Sequence, residues 1–157
     1  MGGLDGPVRL VEFSQRLAAV IPPTAQGVRV AGDPDRMIRR VAVCGGSGDS
    51  LFETVRRAEA DVYVTADLRH HPASEARETA LTGDGSPALI DLSHAASEWL
   101  WLPVGAAALQ EELSARGFQA EVRVSRRRSD PWDFRVPSPH EPPQDVWEPS
   151  RSTGAAS

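Results

Sequence analysis

The chain has little cysteine, no long apolar run and no excess of basic residues, and each shortage excludes a class of protein. Its one cysteine, Cys44, rules out an internal disulfide framework and is typical of a reducing cytoplasm. No apolar run approaches the ~20 residues that a membrane-spanning helix needs. A formal net charge of −5 provides no overall positive field for nucleic acid or anionic lipid. The sequence therefore predicts a cytoplasmic protein without a membrane or nucleic-acid partner.

What the chain does contain is the ordinary composition of a globular domain. Of its 157 residues, 40% are hydrophobic and 25% are charged, enough for one domain with a buried core. We expect the glycine-rich residues 1–7 to be a linker or a truncated start. Residues 8–132 are predicted to form one α/β domain. Residues 133–157 are rich in proline and serine and are predicted to form a disordered tail.

Hydrophobic periodicity predicts alternating helices and strands. Apolar residues at helical spacing indicate helices over 8–20, 72–81, 94–101 and 104–116. Strands are expected around 28–30, 38–43, 62–65, 88–92 and 118–125, the last of them half-buried at a sheet edge. This order predicts an α/β fold with a mixed, mainly parallel sheet flanked by helices.

A glycine-rich segment follows the strand that ends near Cys44. It consists of Gly45, Gly46, Ser47 and Gly48. A helical pattern begins shortly afterwards, so backbone N–H groups and a helix N-terminus can hold an anion here. The segment lacks the Gly-Lys-Ser/Thr of a P-loop and does not match Gly-x-Gly-x-x-Gly. Two interpretations stay open: a tight turn with Asp49 or Ser50 as helix cap, and an anion-binding loop.

Histidine and carboxylate side chains follow the two strands predicted to be buried, where ligands gather in open α/β sheets. His94 and Glu98 lie four positions apart, so a helix would project both side chains from one face. An imidazole and a carboxylate suit zinc, iron, manganese or nickel, although such a pair is also common as a hydrogen-bonded pair on surface helices. Their position directly after a buried strand makes His94 and Glu98 candidate metal ligands, and the interpretation as a simple hydrogen-bonded pair stays open at this point.

Other polar residues near the two strand ends are candidates for supporting roles. Asp67, His70 and His71 follow the strand 62–65 and are expected to contact the ligands or the substrate, although His71 or a neighbour can also cap the next helix. Asp91 is expected to orient His94 through a hydrogen bond. We expect the indole of Trp132 to pin the chain end to the core.

The basic triplet at 126–128 has two interpretations. It can protect a strand edge or lie in a solvated loop, and the acidic balance of the chain favours this interpretation. The alternative is a nucleic-acid contact, which would be sensitive to salt.

These segments resemble a known family, the dinuclear-metal, ring-forming GTP cyclohydrolase I type 2 homologues, also described as NGG-one-interacting-factor-three-like proteins. The matching segments are Val-Ala-Val-Cys-Gly-Gly-Ser-Gly-Asp-Ser (41–50), Ala-Asp-Val-Tyr-Val-Thr-Ala-Asp-Leu-Arg-His-His (60–71), Leu-Ile-Asp-Leu-Ser-His-Ala-Ala-Ser-Glu (89–98) and Ser-Asp-Pro-Trp (129–132). In that family a His-x-x-x-Glu pair supplies two ligands of a two-metal centre, which carries over to His94 and Glu98. Two positions depart from the family pattern: Ala66 replaces the glycine of Thr-Gly-Asp, and Ser93 replaces the usual glycine before the ligand histidine.

The resemblance implies a fold of two related α/β halves, of which this chain is similar to the second half only. The first half would bring a His-His pair and an aspartate to the metals, so we expect a truncation or a partner chain that carries that half. The resemblance further implies two divalent ions per complete site, a homo-oligomeric ring hexamer and an exposed, self-associating face. The implied function is metal-dependent hydrolysis of a nucleotide or another phosphate-containing substrate. The alternative is a non-catalytic metal-binding scaffold that acts through its partners.

Overall fold

The structure, a computed structural model, describes residues 1–137 and is built around a five-stranded sheet. The strands are β1 (Gly2–Arg9), β2 (Arg29–Ala31), β3 (Met37–Ser47), β4 (Val62–Ala66) and β5 (Ala88–Leu92), and their order in the sheet is β1-β3-β4-β5-β2. The three central strands are parallel, whereas β1 and β2 pair antiparallel at the two edges. The predicted α/β fold with a mixed sheet flanked by helices is confirmed.

Three helices connect the strands, two follow the last strand, and helices cover both faces of the sheet. They are α1 (Leu10–Val20), α2 (Phe52–Arg57), α3 (His70–Leu81), α4 (His94–Trp99) and α5 (Leu102–Ala115). Helices α2 and α3 form the crossovers from β3 to β4 and from β4 to β5 that parallel strands require. Each predicted helix is present with shifted ends. None of the helices within residues 1–137 combines the length and the apolarity that a bilayer span needs.

The core consists of one apolar cluster on each face of the sheet. Alternation along β4 divides its side chains between them, with Val62 and Val64 in the first cluster and Tyr63 in the second. The first cluster includes residues of α1 and α4, and the second includes residues of α2 and α3. Every residue of β4 and β5 is buried because helices cover both faces, which explains why both strands are mainly apolar in the sequence.

The N-terminal residues form a strand where the sequence predicts a linker. Gly2 and Gly3 pair with β3, and after a register shift Val8 and Arg9 pair with it again. The linker expected at 1–7 is therefore wrong. An edge strand needs backbone pairing but little side-chain burial, so glycine-rich residues can form one without an apolar pattern in the sequence.

The C-terminal part of the described chain lacks the strand predicted at 118–125. Residues 118–137 contain no helix or strand, so that prediction is wrong. The side-chain amide of Gln110 takes the place of a neighbouring strand: its Nε2 donates to the carbonyl of Ala120 at 2.9 Å, and its Oε1 accepts from the N–H of Val122 at 2.9 Å. Val122 and Val124 are half-buried between exposed residues, which accounts for the alternating pattern. Most of the tail predicted at 133–157 lies outside the described residues.

Candidate metal centre

The candidate centre lies where the three parallel strands end. Gly45 and Gly46 lie near the end of β3, Asp67 follows β4, and Ser93 and His94 follow β5. Because neighbouring parallel strands bring their carboxyl ends to one edge, these residues meet although they are far apart in the chain. A cavity of about 310 Å³ opens at this edge. Its lining includes Gln26, Asp67, His94, Glu98 and Trp132.

His94 and Glu98 converge at the mouth of this cavity. Helix α4 begins at His94, and one turn later Glu98 brings its Oε1 to 3.2 Å from His94 Nε2. The predicted convergence of the two side chains is confirmed. A nitrogen and an oxygen bound to one ion at about 2.1 Å each lie about 3.0–3.4 Å apart, for bond angles between a right angle and the tetrahedral angle. The observed separation therefore fits two ligands of the same ion.

Asp67 contacts the other nitrogen of the same imidazole. Its Oδ2 lies 2.6 Å from His94 Nδ1, closer than Glu98 lies to Nε2. A carboxylate here favours a proton on Nδ1, so in the neutral imidazole Nε2 carries the lone pair and faces Glu98 and the cavity. The Asp67 hydrogen bond, aided by the charge of Glu98, raises the pKa of His94 above its ordinary value. Asp67 thus contacts the ring nitrogen of His94 that does not face Glu98.

Asp91 supports Asp67 and does not take the position expected beside His94. Its Oδ1 accepts from the N–H of Leu68 at 2.8 Å, and its Oδ2 accepts from Arg29 Nε at 2.9 Å. The hydrogen bond to Leu68 fixes the backbone directly after Asp67. Asp67 itself has a φ of +53°, in the left-handed region that residues other than glycine rarely adopt.

Gly46 forms the floor beneath the two proposed ligands. Its N–H donates to Ser97 Oγ at 2.9 Å, and its carbonyl accepts from Thr65 Oγ1 at 3.0 Å, which holds the strand end against α4. A Cβ at Gly46 would lie 3.1 Å from Glu98 Oε1 and 3.3 Å from His94 Nε2. The space beside these two donor atoms therefore depends on the absence of a side chain at Gly46.

The segment predicted as an anion-binding loop has a different structure. Strand β3 continues through Ser47, and the N–H of Gly48 donates to the carbonyl of Ala66 at 3.4 Å. Asp49 does not cap a helix; it forms an ion pair with Arg69 at 2.5 Å. The loop expected at Gly45–Ser47 is wrong in its secondary structure. Anion binding by these residues stays a prediction. The backbone N–H groups of Gly46 and Gly48 already donate hydrogen bonds within the protein, which does not favour it.

His70 and His71 lie outside the cavity. They are the first two residues of α3, they are exposed, and their rings contact each other edge to face with centroids 5.3 Å apart. The N-cap of α3 is Arg69, so His71 is not the cap. The structure brings Asp67 to His94 but brings neither of these histidines there.

A buried aspartate fixes the C-terminal segment beside the site. Asp130 accepts from Ser93 Oγ and, through Oδ1, from the N–H of Trp132 at 3.0 Å. The hydrogen bond from Ser93, followed by that from Trp132, lowers the pKa of Asp130. Trp132 is 63% exposed, so the expected pin through the indole is wrong. Sequence reasoning missed the roles of Ser93 and Asp130. Asp130 belongs to the Ser-Asp-Pro-Trp segment that matches the family pattern, so the sequence did contain a signal for this residue.

The number of donors from the described chain is small. Within residues 1–137, no group of three or more histidine, cysteine, aspartate or glutamate side chains is arranged to hold a metal ion. His94 and Glu98 fit an ion as a pair, with Asp67 engaged on the far side of the imidazole. Any complete coordination shell needs donors from elsewhere.

Comparison with known proteins identifies relatives over nearly the whole described chain. The family model of Duf34/NIF3 (NGG1p interacting factor 3) matches residues 1–131. The chain is 49% identical over 135 residues to the GTP cyclohydrolase 1 type 2 homolog of Streptomyces coelicolor, which covers 86% of this chain and 46% of that protein. It is 48% identical over 134 residues to the homolog of Mycobacterium tuberculosis, covering 85% of this chain and 33% of that one.

Solved structures agree with the sequence comparison. Staphylococcus aureus protein SA1388 superposes with a TM-score of 0.70 at 28% identity, over 84% of this chain and 40% of that chain. A Bacillus cereus protein related to NIF3 superposes with a TM-score of 0.69 at 28% identity, over 85% of this chain and 34% of that one. The chain spans less than half the length of these relatives. With this match over sequence and fold, the chain belongs to the Duf34/NIF3 (NGG1p interacting factor 3) family.

Proposed function

We propose that this chain binds a divalent metal ion through His94 Nε2 and the carboxylate of Glu98. The observation that carries the proposal is the 3.2 Å approach of these two side chains over the bare backbone of Gly46. Asp67 supports it because a carboxylate on Nδ1 is the usual partner of a metal-bound histidine. Imidazole and carboxylate donors suit zinc, iron, manganese or nickel.

The remaining donors come from outside the described residues. A second copy of the chain, a separate chain that corresponds to the uncovered length of the relatives, or water can supply them. Two ions per complete site, as the family resemblance implies, form part of the same proposal. Under this proposal, isolated chains bind metal more weakly than the complete assembly does.

The reaction we propose is hydrolysis of a nucleotide or another phosphate-containing substrate. Relatives bear the name GTP cyclohydrolase 1 type 2 homolog, which indicates this substrate class. A divalent ion, when bound, supplies an activated water and neutralises phosphate charge. His94 and Glu98 would hold the ion, Asp67 would orient His94, and the cavity of about 310 Å³ would admit the substrate. The alternative is a non-catalytic metal-binding scaffold.

Metal analysis of purified protein tests the ligand assignment. We expect His94→Ala and Glu98→Gln to lose most of the metal content of the wild type. His70→Ala is the matched control, because this histidine is exposed and lies outside the cavity. Glu111→Gln, on the exposed surface of α5, is the control for the carboxylate. Equal metal content in all five proteins would refute the assignment.

Turnover tests the reaction separately. Hydrolysis of GTP or of a phosphoester panel should stop when a chelator removes the metal and return when a divalent metal is added. Turnover that is indifferent to the chelator would refute metal-dependent hydrolysis. Retained metal with no turnover on the whole panel would support the scaffold alternative.

A homo-oligomer, with a ring hexamer as the family-derived form, is also part of the proposal. Helix α5 has no buried residue and exposes the apolar side chains of Val104 and Leu109, with Trp101 directly before it. Such a face favours association. Sedimentation of wild type and Val104→Glu tests this: an unchanged monomer in both would count against it.

The single cysteine, Cys44, supports a cytoplasmic location.

A further inference from the structure

Trp132 forms part of the cavity wall that also contains His94 and Glu98. It is 63% exposed, so it contributes little to the core. Its backbone, by contrast, is held on both sides. The N–H donates to Asp130 Oδ1 at 3.0 Å, and the carbonyl accepts from Arg128 Nη1 at 2.8 Å. The chain therefore fixes the position of this residue while leaving its large aromatic side chain open.

The same hydrogen bonds tie Trp132 to the proposed metal ligand. Asp130 is 7% exposed and accepts from Ser93 Oγ, and Ser93 is the residue directly before His94. Two hydrogen bonds through one buried carboxylate thus connect the backbone of Trp132 with the start of α4. This connection places an open aromatic face at a set position relative to His94.

Gln26 adds a polar group to the same cavity. The residue is half-buried and lines the cavity together with Trp132. An amide can donate and accept at once, which suits the polar edge of a nitrogen-containing ring. The volume of about 310 Å³ is at the small end of the range for ligand sites.

We propose that Trp132 is a stacking platform for a planar heteroaromatic ring of the substrate, and that Gln26 contacts the edge of this ring. Aromatic side chains bind such rings face to face with little dependence on ring identity. The inference deepens the proposed function and rests on it: the substrate class becomes a phosphorylated compound with a planar ring. A second copy of the chain covering Trp132 is the competing occupant.

Binding of two probes to the 157-residue chain tests the inference. Guanosine 5′-monophosphate carries a planar ring and a phosphate, and ribose 5-phosphate carries the sugar and phosphate without the ring. We expect Trp132→Ala to weaken binding of guanosine 5′-monophosphate about tenfold and to leave ribose 5-phosphate unchanged. Trp132→Phe keeps an aromatic face and should lose less. Phe118→Ala is the control, since this aromatic residue is 60% exposed and does not line the cavity.

Several outcomes would overturn the inference. One is that Trp132→Ala binds guanosine 5′-monophosphate as tightly as the wild type does. Another is that the substitution weakens the binding of both probes equally, and a third is that the wild type shows no saturable binding. A change of oligomeric state in Trp132→Ala without a change in ring binding would assign the indole to a second copy instead. Metal content is measured on the same samples. A Trp132→Ala variant with unchanged ring binding in a metal-containing protein refutes this inference alone, whereas wild-type protein without metal refutes the proposed function.

Discussion

Asp67 contacts His94 Nδ1 at 2.6 Å from a left-handed backbone conformation with a φ of +53°. For a residue with a side chain this conformation costs roughly 1–2 kcal/mol, although aspartate tolerates it better than most. The hydrogen bond from Leu68 to Asp91 helps to hold the turn. Strain of this kind persists where the surrounding structure enforces it, often at functional sites. The contact is therefore consistent with a role for Asp67 in orienting the histidine.

The variant Asp67→Gly separates the carboxylate from the backbone strain. Glycine adopts a positive φ without cost, so we expect the stability of the fold to be unchanged or higher. Without the carboxylate on Nδ1, metal affinity should fall about 10- to 100-fold. Metal titration calorimetry and chemical denaturation measure the two quantities on the same protein.

Glu59 provides the control for this prediction. It also has a positive φ, +50°, but forms an ion pair with Arg40 on the surface. Glu59→Gly should relieve the same kind of strain and leave metal affinity unchanged. An Asp67→Gly variant with wild-type metal affinity would show that Asp67 does not orient His94.

Gly46→Ala should abolish metal binding and destabilise the fold. The new methyl group would lie 3.1 Å from Glu98 Oε1 and 3.3 Å from His94 Nε2, at a φ of +75°. The left-handed conformation alone costs roughly 1–2 kcal/mol for alanine. Denaturant titration and metal content report the two effects.

Gly45→Ala is the matched control one residue earlier. A Cβ there would meet its nearest atom, the carbonyl oxygen of Ser97, at 3.7 Å, which is ordinary van der Waals contact. We expect metal content near that of the wild type. If both variants bind metal equally well, Gly46 does not form the floor of a metal site.

Tyr63 should ionise only in strongly alkaline solution. Burial raises the pKa of Tyr63 from 10.0 to about 12, and its hydroxyl donates to the carbonyl of Gly48 at 3.0 Å. Because the folded-state pKa is the higher one, its contribution to stability is constant below pH 10.0 and is lost between pH 10.0 and about 12. The chain has one tyrosine, so ultraviolet titration of tyrosinate reports this residue alone.

The difference between wild type and Tyr63→Phe isolates the effect on stability. Phenylalanine does not ionise, so the free energy of unfolding of the wild type should fall relative to this variant above pH 10.0. The variant should be destabilised by about 1 kcal/mol at neutral pH through loss of the hydrogen bond. A tyrosinate transition centred near pH 10.0 would contradict burial of the hydroxyl.

Asp130 should stabilise the fold in its ionised form. Hydrogen bonds from Ser93 and Trp132 lower its pKa below the ordinary value of 3.8. A lowered folded-state pKa gives stability that is fully present above pH 3.8 and is lost as the pH falls through the folded-state pKa. Urea denaturation at several acidic pH values should show this loss for the wild type and a smaller loss for Asp130→Asn. Parallel curves for the two proteins would refute the assignment.

Local chemistry along the chain determines part of this molecule. The runs at 62–65 and 88–92 indicate buried parallel strands, because helices on both faces require apolar side chains at nearly every position. His94 and Glu98 converge because four residues make about one helical turn, a relation that holds within a single short helix. Edge strand β1 has no such pattern in the sequence, since its pairing depends on backbone groups that almost every residue has.

The remaining site contacts join residues that no periodicity relates. Asp67 and His94 are 27 positions apart, Ser93 and Asp130 are 37 apart, and Gly46 and Ser97 are 51 apart. Sequence reasoning assigned Asp91 to His94 and the indole of Trp132 to the core, and folding placed each elsewhere. Side-chain partners across a sheet edge depend on how strands stack and where each one ends, and only the packed chain decides both.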